Sequence, residues 1–424
     1  MSDDREGARS SAGEQYEARL KRVTDAIELR VPDRVPVAVS HTLFYMTRLL
    51  GISNREAMHD HAKRLEAWKK VTRELDLDLA IHPILLPPAQ PFAGLGMRQF
   101  RWPGEDLPDD ASFQYVEREY LKADEYDAFL ADPGDFTVRV LWPRLAETLE
   151  PLASLPPLHW ISNGRNLGYW LAPILGMPPF VTSLNRLLEA GQAAMDFTTQ
   201  MFQYLEDMKA LGFPLGYGSS ADAPFDYLSD QLRGMKGAML DLFRRPEKVL
   251  ETTEFLTGMM IESARMLSDI TGNPRVWMPL HRGSSGFLSD EQFRKFYWPS
   301  LKKLILALID QGLTPVAYFE GDWTTRLDQL VELPPGKVMA HFDQIDRQKA
   351  RERIGSTMCF WGNVPAQLLI TGTPDEVRDD VKELIDLFGP GGGLIVDSSM
   401  GLPDEARPAN VEAMIDTVFS YGRN

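Results

Sequence analysis

The sequence predicts an α/β protein built as a (β/α)8 TIM barrel, with an N-terminal helical extension and an inserted hairpin or loop region. Three observations carry this expectation. Short apolar runs recur along the chain and alternate with segments of helical periodicity, as buried parallel strands joined by crossover helices do. Within residues 311–363, three such runs stop on a polar residue: Glu320, Asp343 and Asn363. Side chains capable of chemistry at strand C-terminal ends are where such a barrel keeps its active site. No internal repeat, low-complexity tract or linker divides the chain, so a single domain over 15–424 is expected behind a polar, disordered stretch at 1–14.

Each element has a local signal. Leu20, Val23 and Ile27 place an amphipathic helix over 16–29, and Pro32 and Pro36 keep it from continuing. Residues 35–40 read as the first strand, ending at His41. A helix over 55–75 carries the stripe Ala57, Ala62, Leu65, Trp68, Val71 and Leu75, and the second strand, 78–81, ends at His82. Residues 84–112 are rich in Pro and Gly and read as an insertion or hairpin. A helical region starts near Tyr120, and 159–163 and 213–217 are the third and fourth strand candidates. Pro246 sits in a first helical turn. The fifth strand, 276–280, leads to His281. Ser289 caps the next helix ahead of Asp290 and Glu291, and Pro299 starts another. Short helices over 324–330 and 345–354 separate the three central strands. Thr373, Pro374 and Glu376 form a helix start, 391–396 is the last strand and 407–421 the closing helix. The count is eight or nine strands. The glycines 391–393 precede a strand, so they are not a phosphate loop.

Composition excludes several functions. The charge of −16, from 45 basic and 61 acidic residues, argues against a nucleic-acid surface. No apolar run approaches the roughly 18 residues of a membrane span, and the polar start reads as lacking a signal peptide. One cysteine, Cys359, excludes a disulfide framework and reads as buried filler. A cytoplasmic protein is expected.

Four stretches carry a resemblance: Arg30-Val-Pro-Asp-Arg-Val-Pro36, Gly362-Asn-Val-Pro365, Gly372-Thr-Pro-Asp-Glu-Val377, and Gly391-Gly-Gly-Leu-Ile395 with Pro408-Ala-Asn-Val-Glu-Ala-Met414. From about residue 20 to 422 the chain resembles the uroporphyrinogen decarboxylase superfamily. The resemblance implies a TIM barrel and one of two chemistries. The first is cofactor-free porphyrinogen decarboxylation. The second is methyl transfer to or from a corrinoid protein or a thiol. The decarboxylases carry an Arg-Gln-Ala-Gly-Arg cluster after the first strand, where this chain reads His41-Thr-Leu-Phe-Tyr45. They also place an Asp after the second strand, where it reads His82-Pro83. The methyltransferases hold zinc through His-x-Cys after the sixth strand and a Cys after the last. Here those places read Tyr318-Phe-Glu-Gly321 and Ser398-Ser-Met400, without cysteine. Pro279-Leu-His-Arg-Gly283, Ala223-Pro-Phe-Asp226 and Phe319-Glu-Gly-Asp-Trp323 resemble a divergent branch.

The candidate site residues are those at the strand ends. His281, Glu320 and Asp343 are the catalytic candidates, as acid/base groups or as ligands of a divalent metal, zinc among them. Arg282 is placed to hold an anionic group, against a rim ion pair; Asp322 faces the mouth or starts a helix. Tyr318, Trp323 and Trp361 line an apolar pocket or serve as core. Asn363 binds substrate or locks a loop; His41 and His82 face the pocket or pack. His341 reads as a satisfied core histidine.

Together these lead to an expected methyltransferase that demethylates a small, apolar or aromatic methyl ether, amine or sulfide. The acceptor would be the cob(I)alamin of a separate corrinoid-binding protein, and a homodimer is a further expectation. A metal-independent decarboxylase or lyase is the alternative, and a catalytically silent binding partner a second one.

Overall fold

The structure, a computed structural model, describes residues 11–83, 87–105 and 107–423. Residues 1–10 of the stretch expected to be disordered lie outside these. Ser11 caps the first helix, Ala12–Ile27, by accepting from the Glu14 amide while Glu14 reaches back to the Ser11 amide, so the helix starts ahead of the expected residue 16.

Two strands, β1 (Phe100–Arg101) and β2 (Gln114–Tyr115), form an antiparallel pair; β1 lies in the region 84–112 read as an insertion or hairpin and β2 just beyond it. Six parallel strands come after it: β3 (Ser219–Ser220), β4 (Arg275–Leu280), β5 (Thr314–Asp322), β6 (Met339–Gln344), β7 (Cys359–Trp361) and β8 (Leu394–Ile395), paired in chain order. Extended segments close the ring. Val37 bridges Val396 and Ala80 bridges Leu215, both in parallel. The Asp78 amide donates to the Val37 carbonyl, and Gly218 to Arg275. Residues 35–40, 78–81 and 214–220 thus complete eight staves.

The strands' period of two divides their side chains between two cores. Ala317, Phe319, Ala340, Phe342 and Phe360 face outward into the shell beneath the helices. Trp277, Val316, Tyr318, Met339, Cys359, Trp361 and Ile395 fill the lumen. Val23, Ala26 and Ile27 join that inner cluster, so the N-terminal helix plugs the barrel.

One expected strand is corrected. Residues 159–163 are not a strand; Leu158–Ile161 is a 3-10 turn. Pro156 and Pro157 precede it, and prolines offer no ladder donor. Its removal leaves eight staves. The surrounding region is a helical insertion between the second and third staves, ending in the long helix Pro178–Ala210. The helix expected over 55–75 is divided, because the Asp60 carboxylate caps a new helix by accepting from the Lys63 amide. The caps at Ser289 and Thr373 form as expected. Among the described residues no helix is long and apolar enough to cross a membrane.

Candidate active site

Strand register stacks the lumen in levels. Trp277, Val316, Met339 and Cys359 pair at one level, and Pro279, Tyr318, His341, Trp361 and Ile395 at the next. Two residues further on, the same alternation brings His281, Glu320, Asp343, Asn363 and Asp397 to the strand ends. The lower levels are largely apolar and aromatic; this last one is wholly polar. Gly321, at φ 76°, interrupts the β5–β6 register, a left-handed conformation that favours glycine. The bulge turns its amide to donate to Asp343 Oδ2 at 3.0 Å.

Above this level opens a cavity of about 1110 Å³, lined by His41, Tyr318, Glu320, Asp343, Asn363 and residues of the loops beyond the strand ends. Seven lining residues are acidic: Glu320, Asp343, Asp346, Asp380, Glu383, Asp404 and Glu405. Arg347 is the single lysine or arginine among them. Its guanidinium is already committed, donating to both Asp380 oxygens at 2.9 and 3.0 Å and to Asn363 Oδ1 and O. Burial, aided by the charge of Glu320 and opposed by the Gly321 amide, raises the Asp343 pKa above the ordinary carboxylate value.

His281 stands behind Glu320, outside the lining of this cavity. Its Nδ1 lies 2.6 Å from Asp230 Oδ2, and its Nε2 faces Glu320 Oε2 at 3.7 Å. Burial disfavours the charged ring, but Asp230, Asp226 and Glu320 outweigh it and raise the pKa to about 9. The ring is therefore an imidazolium at neutral pH, donating to Asp230. Asp226 braces the loop, accepting from the amides of His281 and Arg282 and from the Tyr297 hydroxyl. Burial raises its pKa to about 7 and that of Asp222 to about 6. Asp230 stays low, because His281 and Arg282 overcome its burial.

The expected residues separate into three groups. Glu320, Asp343, Asn363, Tyr318 and His41 line the cavity. His41 is held neutral, burial lowering it to about 4. His281 touches the cavity only through Glu320. The rest are corrected. Trp323 is fully buried and donates to the Glu320 carbonyl. Trp361 is fully buried and stacked on His341. His82 is buried beside Tyr217. Asp322 caps a turn by accepting from the Thr324 amide. Arg282 is an ion-pair member, bound to Asp230 at 2.8 Å, Glu117 at 3.0 Å and Ser229. His341, as expected, is a core residue, donating through Nε2 to the Ser398 carbonyl.

The arrangement does not fit a divalent metal on His281, Glu320 and Asp343. Among the described residues no group of three His, Cys, Asp or Glu side chains is arranged to hold an ion. Sequence reading missed Asp230 and Arg347. Asp230 left a signal: Asp222, Asp226 and Asp230 are spaced by four, and the last two lie on the helical run 224–233, so they share a face.

Known proteins share parts of this architecture. The profile described as uroporphyrinogen decarboxylase (URO-D) matches residues 173–421. Uroporphyrinogen decarboxylase from Ovis aries is 25% identical over 215 residues, 48% of this chain and 57% of that one. The enzyme from Neisseria gonorrhoeae (strain NCCP11945) is 24% identical over 141 residues, 32% and 39% of the two chains. The enzyme from Pseudomonas syringae pv. tomato is 26% identical over 325 residues, 69% and 88%. The match thus spans little more than half of the sheep protein and less of the Neisseria one. Among solved structures, a methyltransferase from Methanosarcina mazei superposes with a TM-score of 0.60 at 15% identity, over 95% of this chain and 98% of that one.

Proposed function

This chain belongs to the uroporphyrinogen decarboxylase family, and from that premise we propose that it transfers a methyl group rather than decarboxylating a porphyrinogen. The observation that carries the reading is the sign of the cavity. Seven carboxylates and one fully engaged arginine surround it, and an octa-acid cannot be held there without a positive cradle. A small neutral or cationic donor, a methyl ether, amine or sulfide, suits the same walls. The fold shared with a methyltransferase from Methanosarcina mazei supports the same direction. A volume of about 1110 Å³ exceeds the roughly 300–1,000 Å³ of ordinary small-molecule sites, which leaves room for a macrocycle offered from outside.

The acceptor in this reading is the cob(I)alamin of a separate corrinoid-binding protein, which when bound supplies the nucleophile that takes the methyl group. The chain's own residues handle the other half of the reaction. As the carbon–heteroatom bond breaks, its electron pair stays on the departing oxygen, nitrogen or sulfur; a neutral donor then takes a proton, whereas a cationic donor leaves as a neutral amine or sulfide. Asp343, its pKa raised, faces the cavity to deliver it, beside Glu320. His281, an imidazolium 3.7 Å behind Glu320, holds a second proton for the more basic departing group, and Asp230 fixes the ring. Tyr318 and His41, their rings 5.3 Å apart, form the aromatic floor against which the donor rests. No step requires a metal ligated by these residues.

The test is an anaerobic incubation of the protein with free cob(I)alamin and a panel of aryl methyl ethers, methylamines and methyl sulfides, monitored for the appearance of methylcobalamin absorbance. Carbon dioxide release from uroporphyrinogen without any corrinoid would overturn the reading and restore the decarboxylase, the activity of the curated relatives.

A further inference from the structure

A second cavity, of about 160 Å³, shares no lining residue with the one at the barrel mouth. It lies between the inserted helical run 133–145, the helix Pro246–Thr271 and the run 224–233. Leu141, Leu145, Leu232 and Met259 give it apolar walls. Trp142 and Phe255 also line it and are 42% and 37% exposed, so two aromatic side chains form its rim. A cavity of roughly 150 Å³ walled by such side chains holds one benzene ring, and this one has room for a single ring.

One edge of the cavity is polar. Gln99 and Gln231 both line it, and their amide ends adjoin. Gln99 Nε2 donates to the Tyr115 hydroxyl at 2.9 Å and to Gln231 Oε1 at 3.3 Å, and the Tyr115 hydroxyl lies 2.8 Å from the same Gln231 oxygen. These contacts use the nitrogen of Gln99 and the oxygen of Gln231. Among the described residues nothing bonds to Gln99 Oε1 or Gln231 Nε2, and neither atom is sealed from solvent, although Gln99 is only 6% exposed. The edge thus offers one acceptor beside one donor, and a hydroxyl group, which both donates and accepts, satisfies the two together.

Two of the walls include π-helical turns, Thr137–Leu141 and Leu228–Arg233, a helix irregularity that recurs at functional sites. The second turn serves both sites. Ser229 and Asp230 hold Arg282 and His281, while Gln231 and Leu232 line the cavity. The Tyr115 hydroxyl that joins the two glutamines also lies 3.0 Å from the Asp230 carbonyl. We propose that this cavity is a second binding site, for a single-ring phenol, and that its occupant bears on His281 through residues 228–233. The ring fills the apolar walls, and its hydroxyl donates to Gln99 Oε1 and accepts from Gln231 Nε2. Both glutamine side chains are then fixed against Tyr115, which restricts the turn that positions Asp230. Binding stands on the cavity alone; only its effect on turnover rests on the methyl transfer proposed above.

The test is calorimetric titration of the full chain with phenol and, separately, with toluene, in the absence of corrinoid and methyl donor. One phenol per chain is expected to bind. Gln231→Leu should weaken phenol about tenfold and leave toluene within about a factor of two. Met259→Trp fills the cavity from a half-buried position and should weaken both at least tenfold, with a melt within a few degrees of the parent. In protein carrying carbon-13-labelled histidine, the His281 ring resonance, assigned by its loss in His281→Gln, should move when phenol is added to the parent and stay in place in Met259→Trp. No saturable phenol binding, an unchanged phenol affinity in Gln231→Leu, or full binding by Met259→Trp, which would put the phenol elsewhere, would each overturn the site. A His281 resonance unmoved at saturation would overturn its link to the active site.

Discussion

Asp230→Asn tests whether His281 works as a proton reservoir. The substitution keeps the shape of the side chain and an oxygen to accept from the ring, but removes the charge 2.6 Å from Nδ1. In the parent the imidazole is raised from 6.5 to about 9, a rise of about 3 kcal/mol at 1.36 kcal/mol per unit. Since 39% of the side chain is open, water screens part of this, and about 1–2 kcal/mol is the share expected from the pair. The variant ring should therefore titrate about 1 unit lower. Methyl-transfer rates measured against pH should lose activity through a limb near 9 in the parent and through one about 1 unit lower in the variant. At pH 9 the variant should fall about fivefold, and at pH 6 it should stay within about a factor of two. The folded-state value exceeds the unfolded one, so the charged ring stabilises the fold fully below pH 6.5 and ceases to do so as the pH rises through about 9. The melting difference between parent and variant should close over the same window. An unmoved alkaline limb, or an equal loss at every pH, would refute the role given to His281.

Glu320→Gln should melt within a few degrees of the parent, because the side chain is 45% exposed, and should lose about 10²-fold or more in rate; an unaltered rate would reduce the β5 end to a loop-shaping role. Arg347→Met removes the bonds to Asp380 and Asn363 and leaves the carboxylate half-buried, so thermal denaturation should show a loss of about 1–3 kcal/mol. Gly283→Ala adds a methyl that overlaps the Trp323 indole and the Tyr297 ring. A loss of about 1–3 kcal/mol is expected, read as a lowered melting temperature.

The barrel was legible where a strand's apolar run stops abruptly on a polar residue. β5, β6 and β7 combine five or so inward- and outward-facing apolar residues with a polar end, and no helix of that length hides both faces. The stretch at 159–163 offered the same apolar length without the partners, and two preceding prolines decided against it. The insertion was less legible for the opposite reason. Two offset apolar stripes on Pro178–Ala210, an inner one through Phe180 and Tyr204 and an outer one through Leu188 and Met195, blur the single moment by which an amphipathic helix is read, so its length and exposed face emerge only once one stripe is seen to be used inside.

At the site, alternation along a strand decided which expectations held. Glu320 lies two beyond Tyr318, and Asp343 two beyond His341, so each continues a lumen row upward. His281 and Arg282 are adjacent and cannot both do so; the arginine turns aside to Asp230 and Glu117. Trp323 comes after the bulge at Gly321, where counting by two no longer holds, and Trp361, although level with Tyr318, is covered by its stacking on His341. The sign of the cavity was beyond any such rule. Its carboxylates arrive from β5, from the end of β6 and its loop, from the helix Pro374–Phe388 and from the loop at 404–405, and no stretch of sequence contains them together. Their charges converge only through the fold, and Arg347 is consumed in holding Asp380 and Asn363. Arg48, Arg347 and Lys349 pair with Glu405, Asp380, Glu383 and Asp346, but Glu320, Asp343 and Asp404 still oppose an anionic substrate entering there, whereas a neutral or cationic methyl donor meets no such repulsion.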